Sequence, residues 1–166
     1  MRRREFVAGI AAAAFSARAH AQQVPVIGFI GLTSFDEWKR YVEAFHKGLG
    51  EAGFVVGRNV AMEYRWAEGQ YDRLPGMAAD LVVRKVDVIV PIAPPAVLAV
   101  KAATQTIPIV FFMGSDPVKL GLVASLNRPG GNITGVTALA NAVGAKRLQL
   151  LREIVPQSAV SGLLVN

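Results

Sequence analysis

The stretch VPVIGFIGLTSFDEW, residues 24–38, decides the fold of this chain. Its first part is an almost unbroken apolar run that ends at Gly31, which is typical of a strand buried on both faces. Ser34 follows, with Glu37 three residues later, and this is the spacing of a helix-capping box. Apolar side chains then recur at helical spacing at Trp38, Tyr41, Val42, Phe45 and Leu49. A buried strand that leads directly into a capped helix predicts the start of a β-α-β unit.

The same alternation continues along the rest of the chain. Further strands are predicted at residues 60–66, 86–90, 107–112, 133–137 and 160–165. Helices are predicted between them at residues 71–85, 96–104, 118–126 and 143–154. Strands that alternate with helices favour a parallel sheet joined by right-handed crossovers, so the predicted fold class is α/β.

Composition limits the chemistry that this chain can perform. Hydrophobic residues make up 52% of the 166 positions and charged residues 18%, which is typical of a globular protein. The absence of cysteine excludes disulfides, thiolate metal sites and a lipid-modified cysteine. With His20 and His46 as the only histidines, we expect no metal site and no cofactor.

The N-terminus has the pattern of an export signal. Three arginines at positions 2–4 precede an apolar segment over residues 6–17, and Ala19-His20-Ala21 is an A-x-A cleavage pattern. Arg3-Arg4 with Phe6 resembles a twin-arginine signal, with a general secretory signal as the alternative. The sequence therefore predicts a signal peptide over residues 1–21 and a mature chain that is soluble in the periplasm and carries no lipid anchor.

Net charge gives little support for nucleic-acid binding. Four arginines and one glutamate in the first 21 residues supply half of the net charge of +6. Because that half belongs to the predicted signal, the remaining chain is only weakly basic. We therefore expect no nucleic-acid partner.

Candidate ligand contacts follow three of the predicted strands. In an open parallel sheet, ligands bind beyond the carboxyl ends of the strands. The residues in these positions are Thr33, Ser34, Ala93, Pro94, Ser115 and Asp116. Ser34 has a plain helix cap as its alternative role, and Asp116 is suited either to a cap or to an ammonium or hydroxyl group of a ligand.

Patterns of catalysis are weak in this sequence. It contains no G-x-S-x-G elbow and no P-loop lysine pattern, and Gly28-Phe29-Ile30-Gly31 lacks the full G-x-G-x-x-G spacing. His46, beside Phe45 on the first helix, reads as an ordinary boundary histidine. A binding protein without catalytic residues is therefore favoured, with a nucleotide-binding α/β enzyme and a sensory ligand-binding lobe as the alternatives.

Long motifs resemble one protein family. Residues 107–118, IPIVFFMGSDPV, and 121–137, GLVASLNRPGGNITGVT, resemble the signature of the ABC transporter substrate-binding family that includes tryptophan-binding lipoproteins. EYRWAEG at 63–69, KRLQLLREIVP at 146–156 and the final LVN agree with it. The resemblance covers residues 24–166.

This resemblance implies a type I periplasmic-binding-protein fold, in which two α/β lobes hold a ligand between them. The N-terminal lobe, a three-layer parallel sheet, would span residues 24–134, and residues 135–166 would form the hinge crossing and only the start of the second lobe. The implied function is the periplasmic solute-binding component of an ABC importer, for an amino acid or a related small molecule. Its implied partners are that solute and an ABC permease in the inner membrane.

A chain that ends inside the second lobe has two expected properties. One lobe offers only half of the contacts of a two-lobed clamp, so we expect weak ligand binding. The apolar residues of the unfinished lobe, Leu148, Leu151 and 163–165, would lack their sheet. We therefore expect self-association through these residues.

Overall fold

The structure, a computed structural model, describes residues 24–138 and 144–157. The strands within these ranges are β1 Val26–Gly31, β2 Ala61–Trp66, β3 Val88–Pro91, β4 Ile109–Met113 and β5 Ile133–Thr137. The α-helices are α1 Phe35–Glu51, α2 Leu74–Val83, α3 Pro94–Ala103 and α4 Gly144–Ile154. A 3₁₀ turn over Tyr71–Arg73 leads into α2.

The five strands form one parallel sheet in the order β2-β1-β3-β4-β5. This confirms the predicted α/β class and parallel sheet. The chain moves from β1 to β2 in one direction across the sheet and from β3 to β4 in the other. Because both crossovers are right-handed in such sheets, helices α1 and α3 lie on opposite faces.

Each face of the sheet has its own hydrophobic core. On one face, Phe29 of β1 packs with Val42 of α1 and Val90 of β3. On the other face, Ile30 packs with residues of α2 and α3, including Leu81 and Val97. Successive side chains of β1 therefore enter different cores, which explains why the apolar run of residues 26–30 does not alternate with polar residues.

The starts of α1 and α3 follow local sequence rules. The Ser34 side chain accepts a hydrogen bond from the Glu37 amide at 3.4 Å, as the capping pattern predicted. Pro94 and Pro95 occupy the first turn of α3. Amides of the first turn have no intrahelical partner, so the missing amide hydrogen of proline costs no helix hydrogen bond. Both helices therefore begin directly at the carboxyl edge of the sheet.

The helix predicted at residues 118–126 is wrong. The chain there makes turns, beginning where Asp116 Oδ1 accepts hydrogen bonds from the amides of Val118 and Lys119. Gly121 then adopts a φ of +65°, a left-handed conformation that stops a right-handed helix. Leu122 and Val123 are nevertheless buried, so their apolar spacing reflects packing of a loop and not a helix.

Two predicted segments lie outside the described residues, namely the signal peptide over residues 1–21 and the strand over residues 160–165. The predicted crossing, residues 135–137, forms the last part of β5 and pairs in register with β4. Among the described residues, no helix is long and apolar enough to cross a membrane.

Replacing Gly135 by alanine should destabilise the fold. A Cβ at this position would collide with the carbonyl oxygen and the ring of Phe111 on β4. We expect Gly135→Ala to lower the free energy of unfolding by about 1–3 kcal/mol, the usual cost of overpacking. Gly48→Ala is the control, because a Cβ there has open space within α1. It should raise the free energy of unfolding by about 0.5–1 kcal/mol through helix propensity, and urea denaturation measures both changes.

Acid should weaken the ion cluster that joins β2 to α2. Arg65 of β2 donates to Asp80 of α2 at 2.9 Å and 2.5 Å, and Arg84 also contacts this carboxylate. The hydrogen bonds from Arg65, and then those from Arg84, hold the pKa of Asp80 below its ordinary value of 3.8. Because the pKa of Asp80 is lower in the folded state than in the unfolded chain, its carboxylate stabilises the fold at pH values above 3.8. This contribution is lost as the pH falls through the folded-state pKa.

Unfolding measured between pH 2 and pH 6 should therefore show less loss of stability on the acid side in Asp80→Asn than in the parent chain. Arg65→Met should have the same effect, because it removes the main cause of the lowered pKa. Equal acid slopes in the parent and both variants would contradict this coupling.

Candidate ligand-binding site

The carboxyl ends of all five strands lie at one edge of the sheet, because the strands are parallel. The connections that follow β1 and β3 leave the sheet in opposite directions, the first to α1 and the second to α3. Such a switch point opens a crevice, and ligands of open α/β sheets bind there. The structure places Thr33 and Ser34 on one side of this switch point and Ala93 and Pro94 on the other. Ser115 and Asp116 follow β4, one strand further along the edge.

Thr33 carries the clearest sign of an unmet interaction. Its hydroxyl is buried and has no hydrogen-bond partner, the one such side-chain atom among the residues that the structure describes. The backbone around it is fixed, because the amides of Glu68 and Gly69 donate to the carbonyls of Thr33 and Leu32 at 3.3 Å and 2.9 Å. An unpaired buried hydroxyl costs about 1–3 kcal/mol, so a ligand group that pairs with it gains a favourable contact.

Ser34 forms the helix cap that was its alternative role. Its oxygen accepts the Glu37 amide, and a hydroxyl in that role still has a hydrogen to donate. The N-terminus of the 17-residue helix α1 adds amide groups without intrahelical partners and the positive end of the helix dipole. Capping and ligand contact are therefore compatible at this residue.

Ala93 and Pro94 can give a ligand apolar contact but no hydrogen-bond donor. The Ala93 amide donates to the Phe112 carbonyl at 2.9 Å, and its carbonyl accepts from Val97 at 3.2 Å. Pro94 has no amide hydrogen. Ala93 also has a φ of +68° and a ψ of 157°, a strained conformation for a residue with a side chain. The loop after β3 therefore presents an apolar wall to the crevice.

The loop after β4 is tied to the end of β5. The Thr137 hydroxyl donates to the Ser115 carbonyl at 2.8 Å, and Asp116 closes the following turn with one carboxylate oxygen. One carboxylate oxygen of Asp116 is thus used in the turn, and its contact with a ligand stays a prediction. Thr137 was not predicted as a site residue, because its only signal in the sequence is its place as the last residue of a predicted strand.

Two aromatic residues beside Thr33 were also missed. The rings of Phe35, the first residue of α1, and Trp66, the last residue of β2, meet edge to face with centroids 6.0 Å apart. Trp66 lies against Gly31, where any Cβ would collide with its ring. Phe35 remains 41% exposed, so an aromatic surface is accessible on the β2 side of the end of β1. The aromatic residue at the end of a predicted strand was the available signal for Trp66.

His46 has a structural role. It is half-buried and hydrogen-bonds the hydroxyl of Tyr64 on β2, whose pKa is raised by burial. Among the described residues, no group of three or more His, Cys, Asp or Glu side chains is placed to hold a metal ion.

A family model described as "ABC transporter substrate binding protein" matches residues 23–166. The chain belongs to the ABC transporter substrate-binding protein family. A curated relative, the tyrosine-binding protein of Clostridioides difficile, is 30% identical over 140 residues, which are 84% of this chain and 40% of the relative.

Solved structures agree with this family. A conserved domain protein from Vibrio cholerae matches with a TM-score of 0.73 at 30% identity, over 81% of this chain and 45% of that one. The ABC domain from Streptococcus pneumoniae in complex with L-Trp matches with a TM-score of 0.62 at 30% identity, over 68% and 38%. A ligand-free, open substrate-binding protein from Clostridium difficile gives 0.63 at 30% identity, over 76% and 43%.

The chain thus spans less than half the length of these relatives. The match to the family model confirms that the motifs at 107–118 and 121–137 resemble those of ABC transporter substrate-binding proteins. Its members found here are substrate-binding proteins and not enzymes, in agreement with the predicted absence of catalysis.

Removing the Thr33 hydroxyl should stabilise the free protein. Valine keeps the shape of the side chain and deletes the unpaired polar atom, so Thr33→Val should raise the free energy of unfolding by about 1 kcal/mol. Thr104→Val is the matched control, because that buried hydroxyl accepts the amides of Thr106 and Ile107. It should lower the free energy of unfolding by about 1–2 kcal/mol in the same urea titration. Equal losses in both variants would mean that the Thr33 hydroxyl is already paired in solution.

Proposed function

We propose that this chain forms the N-terminal lobe of the solute-binding component of an ABC importer, and that it binds an amino acid at the carboxyl edge of its sheet. The unpaired, buried hydroxyl of Thr33 at the switch point carries this proposal. The ligands in the names of two relatives, tyrosine and L-Trp, support an amino acid as the solute class.

An amino acid supplies groups that match the edge. Its carboxylate suits the Thr33 hydroxyl, the Ser34 hydroxyl and the N-terminus of α1, where both backbone amides and the helix dipole favour an anion. Its side chain suits the aromatic surface of Phe35 and Trp66, because aromatic rings gain from stacked or edge-to-face contact. The ammonium group suits a carboxylate, and Asp116 follows β4, two strands from β1, with a second carboxylate oxygen beside the one that closes its turn.

Residues 1–21 direct export, by the twin-arginine or the general secretory route, and the mature protein acts outside the inner membrane. A second lobe closes over the ligand, with residues 135–137 as the crossing between lobes, and the closed protein delivers its solute to an ABC permease. The lobe alone binds weakly, since it supplies only one side of the clamp.

Titration of the chain with L-Tyr and L-Trp, followed by NMR, tests this function. We expect saturable binding with a dissociation constant on the order of 1 mM, because half of the contacts of a clamp are present. The amide signals that move should belong to residues 31–35. Tyramine, which lacks the carboxylate, should bind at least about tenfold more weakly, the loss expected for one hydrogen bond to a charged group.

Thr33→Val should also reduce the affinity for L-Tyr and L-Trp by about tenfold while it stabilises the free protein. Thr104→Val should keep the parent affinity although it is less stable, which separates ligand contact from folding. Unchanged affinity in Thr33→Val would contradict the proposed contact. Micromolar binding by the monomeric chain would contradict the view that a single lobe is half of the clamp.

A further inference from the structure

We propose that Lys101 of α3 is a positioning residue for ligand binding, because its side chain fixes the loop that carries Asp116. Lys101 lies in the last turn of α3, away from the helix start at the carboxyl edge, so it acts through Asp116 and not by touching the ligand. This role rests on the proposed function, in which Asp116 meets the ammonium group of an amino acid.

The loop after β4 is closed at both ends by charged side chains. At its start, Asp116 Oδ1 accepts hydrogen bonds from the amides two and three residues later, at 2.9 Å and 3.3 Å. At its end, Lys101 Nζ donates to the carbonyls of Gly121 and Leu122 at 2.7 Å and 2.9 Å. The carboxylate satisfies amides and the ammonium satisfies carbonyls, so together they hold a segment that is neither helix nor strand.

Helix α3 gives Lys101 a fixed base. Ala96, Val97 and Val100 are fully buried in the core that α3 shares with β3 and β4. None of the ion pairs within the described residues involves Lys101, so its charge acts on the loop carbonyls. Ordering a lysine side chain costs conformational entropy, and two hydrogen bonds from a charged donor offset that cost.

Backbone hydrogen bonds connect the Lys101 end of the loop to Asp116. The amides of Leu122 and Val123 donate to the carbonyl of Pro117 at 2.9 Å and 3.4 Å. Pro117 is buried and follows Asp116 directly. A shift of the Leu122 carbonyl is therefore passed to Pro117 and to the carboxylate beside it.

The effect on a ligand should be confined to its ammonium group. One oxygen of Asp116 caps the loop, so the loop also fixes the place of the second oxygen, which is the one proposed to meet the ligand. A carboxylate held in place binds an ammonium group more tightly than a mobile one, because less freedom is lost on binding. Thr33 and the aromatic surface of Phe35 and Trp66 follow β1 and β2, two or more strands away from β4. Loss of Lys101 should therefore weaken ammonium-bearing ligands selectively.

Amide hydrogen exchange of the 166-residue chain, followed by NMR, tests whether Lys101 holds the loop. Lys101→Met keeps the alkyl stem and removes the donors, so the Val118 amide should exchange about fivefold faster as the Asp116 cap loosens. Lys119→Met is the matched control, because it removes the same charge from an exposed residue of the same loop. It should leave this exchange rate unchanged. Equal Val118 exchange in Lys101→Met and the parent would overturn the proposal.

Binding of two matched ligands tests the selectivity. L-Tyr carries the ammonium group, and 3-(4-hydroxyphenyl)propanoate is the same molecule without it. Lys101→Met should weaken L-Tyr about fivefold and leave the affinity for the second ligand within about twofold of the parent. Lys101→Gln keeps one amide donor on a shorter side chain and should give an intermediate loss. Equal weakening of both ligands would mean general damage to the lobe and would contradict the positioning role.

Asp116→Asn separates the role of Lys101 from the proposed function. Asparagine can still cap the loop but lacks the charge, so L-Tyr should bind about tenfold more weakly. Adding Lys101→Met to this variant should cause no further loss, because the two residues act as one unit. If Asp116→Asn weakens L-Tyr and Lys101→Met does not, only the role of Lys101 is overturned. If L-Tyr does not bind the parent, or binds Asp116→Asn as tightly, the ammonium contact of the proposed function fails and the role of Lys101 fails with it.

Discussion

The parallel pairing of β1 with a strand on each side is the constraint on which the rest of the structure depends. Phe29 of β1 lies opposite Tyr64 of β2 and opposite Val90 of β3. Because β1 has a strand on each side, both of its faces must be covered. The chain leaves β1 towards β2 and leaves β3 towards β4, in opposite directions across the sheet. That arrangement creates the switch point, sets α1 and α3 on opposite faces, and fixes which edge of the sheet can receive a ligand.

The strands and helices could be predicted from the sequence because the local pattern of their residues agrees with the burial of those residues in the fold. The run from Val26 to Ile30 is apolar since it is buried on both faces, and Ser34 caps the helix that follows. The segment 118–126 shows where this agreement ends. Leu122 and Val123 are buried as helix residues would be, but the Lys101 side chain donates to the carbonyls of Gly121 and Leu122 and holds them in a loop. Apolar spacing reports burial, and it cannot report which backbone conformation achieves that burial.

The candidate site could be predicted as a set of strand ends, and its chemistry could not. Thr33 and Ala93 were equivalent in the sequence, since each follows a buried strand at a helix start. In the structure the Thr33 hydroxyl lacks a partner, whereas the backbone groups of Ala93 are both bonded within the fold. The contact of Phe35 with Trp66 depends on the pairing of β2 beside β1, which brings residues 31 positions apart in sequence against each other. Such differences arise only from tertiary register.

The lobe has two incomplete surfaces, and their chemistry separates their roles. The carboxyl edge offers the Ser34 hydroxyl and helix N-terminal amides, which can bind water when no ligand is bound. The face over β4 and β5 offers Val110, Phe112 and Val136, for which water is a poor partner. A polar edge is therefore suited to reversible exchange of a small molecule, whereas an apolar face of this kind requires lasting cover by protein.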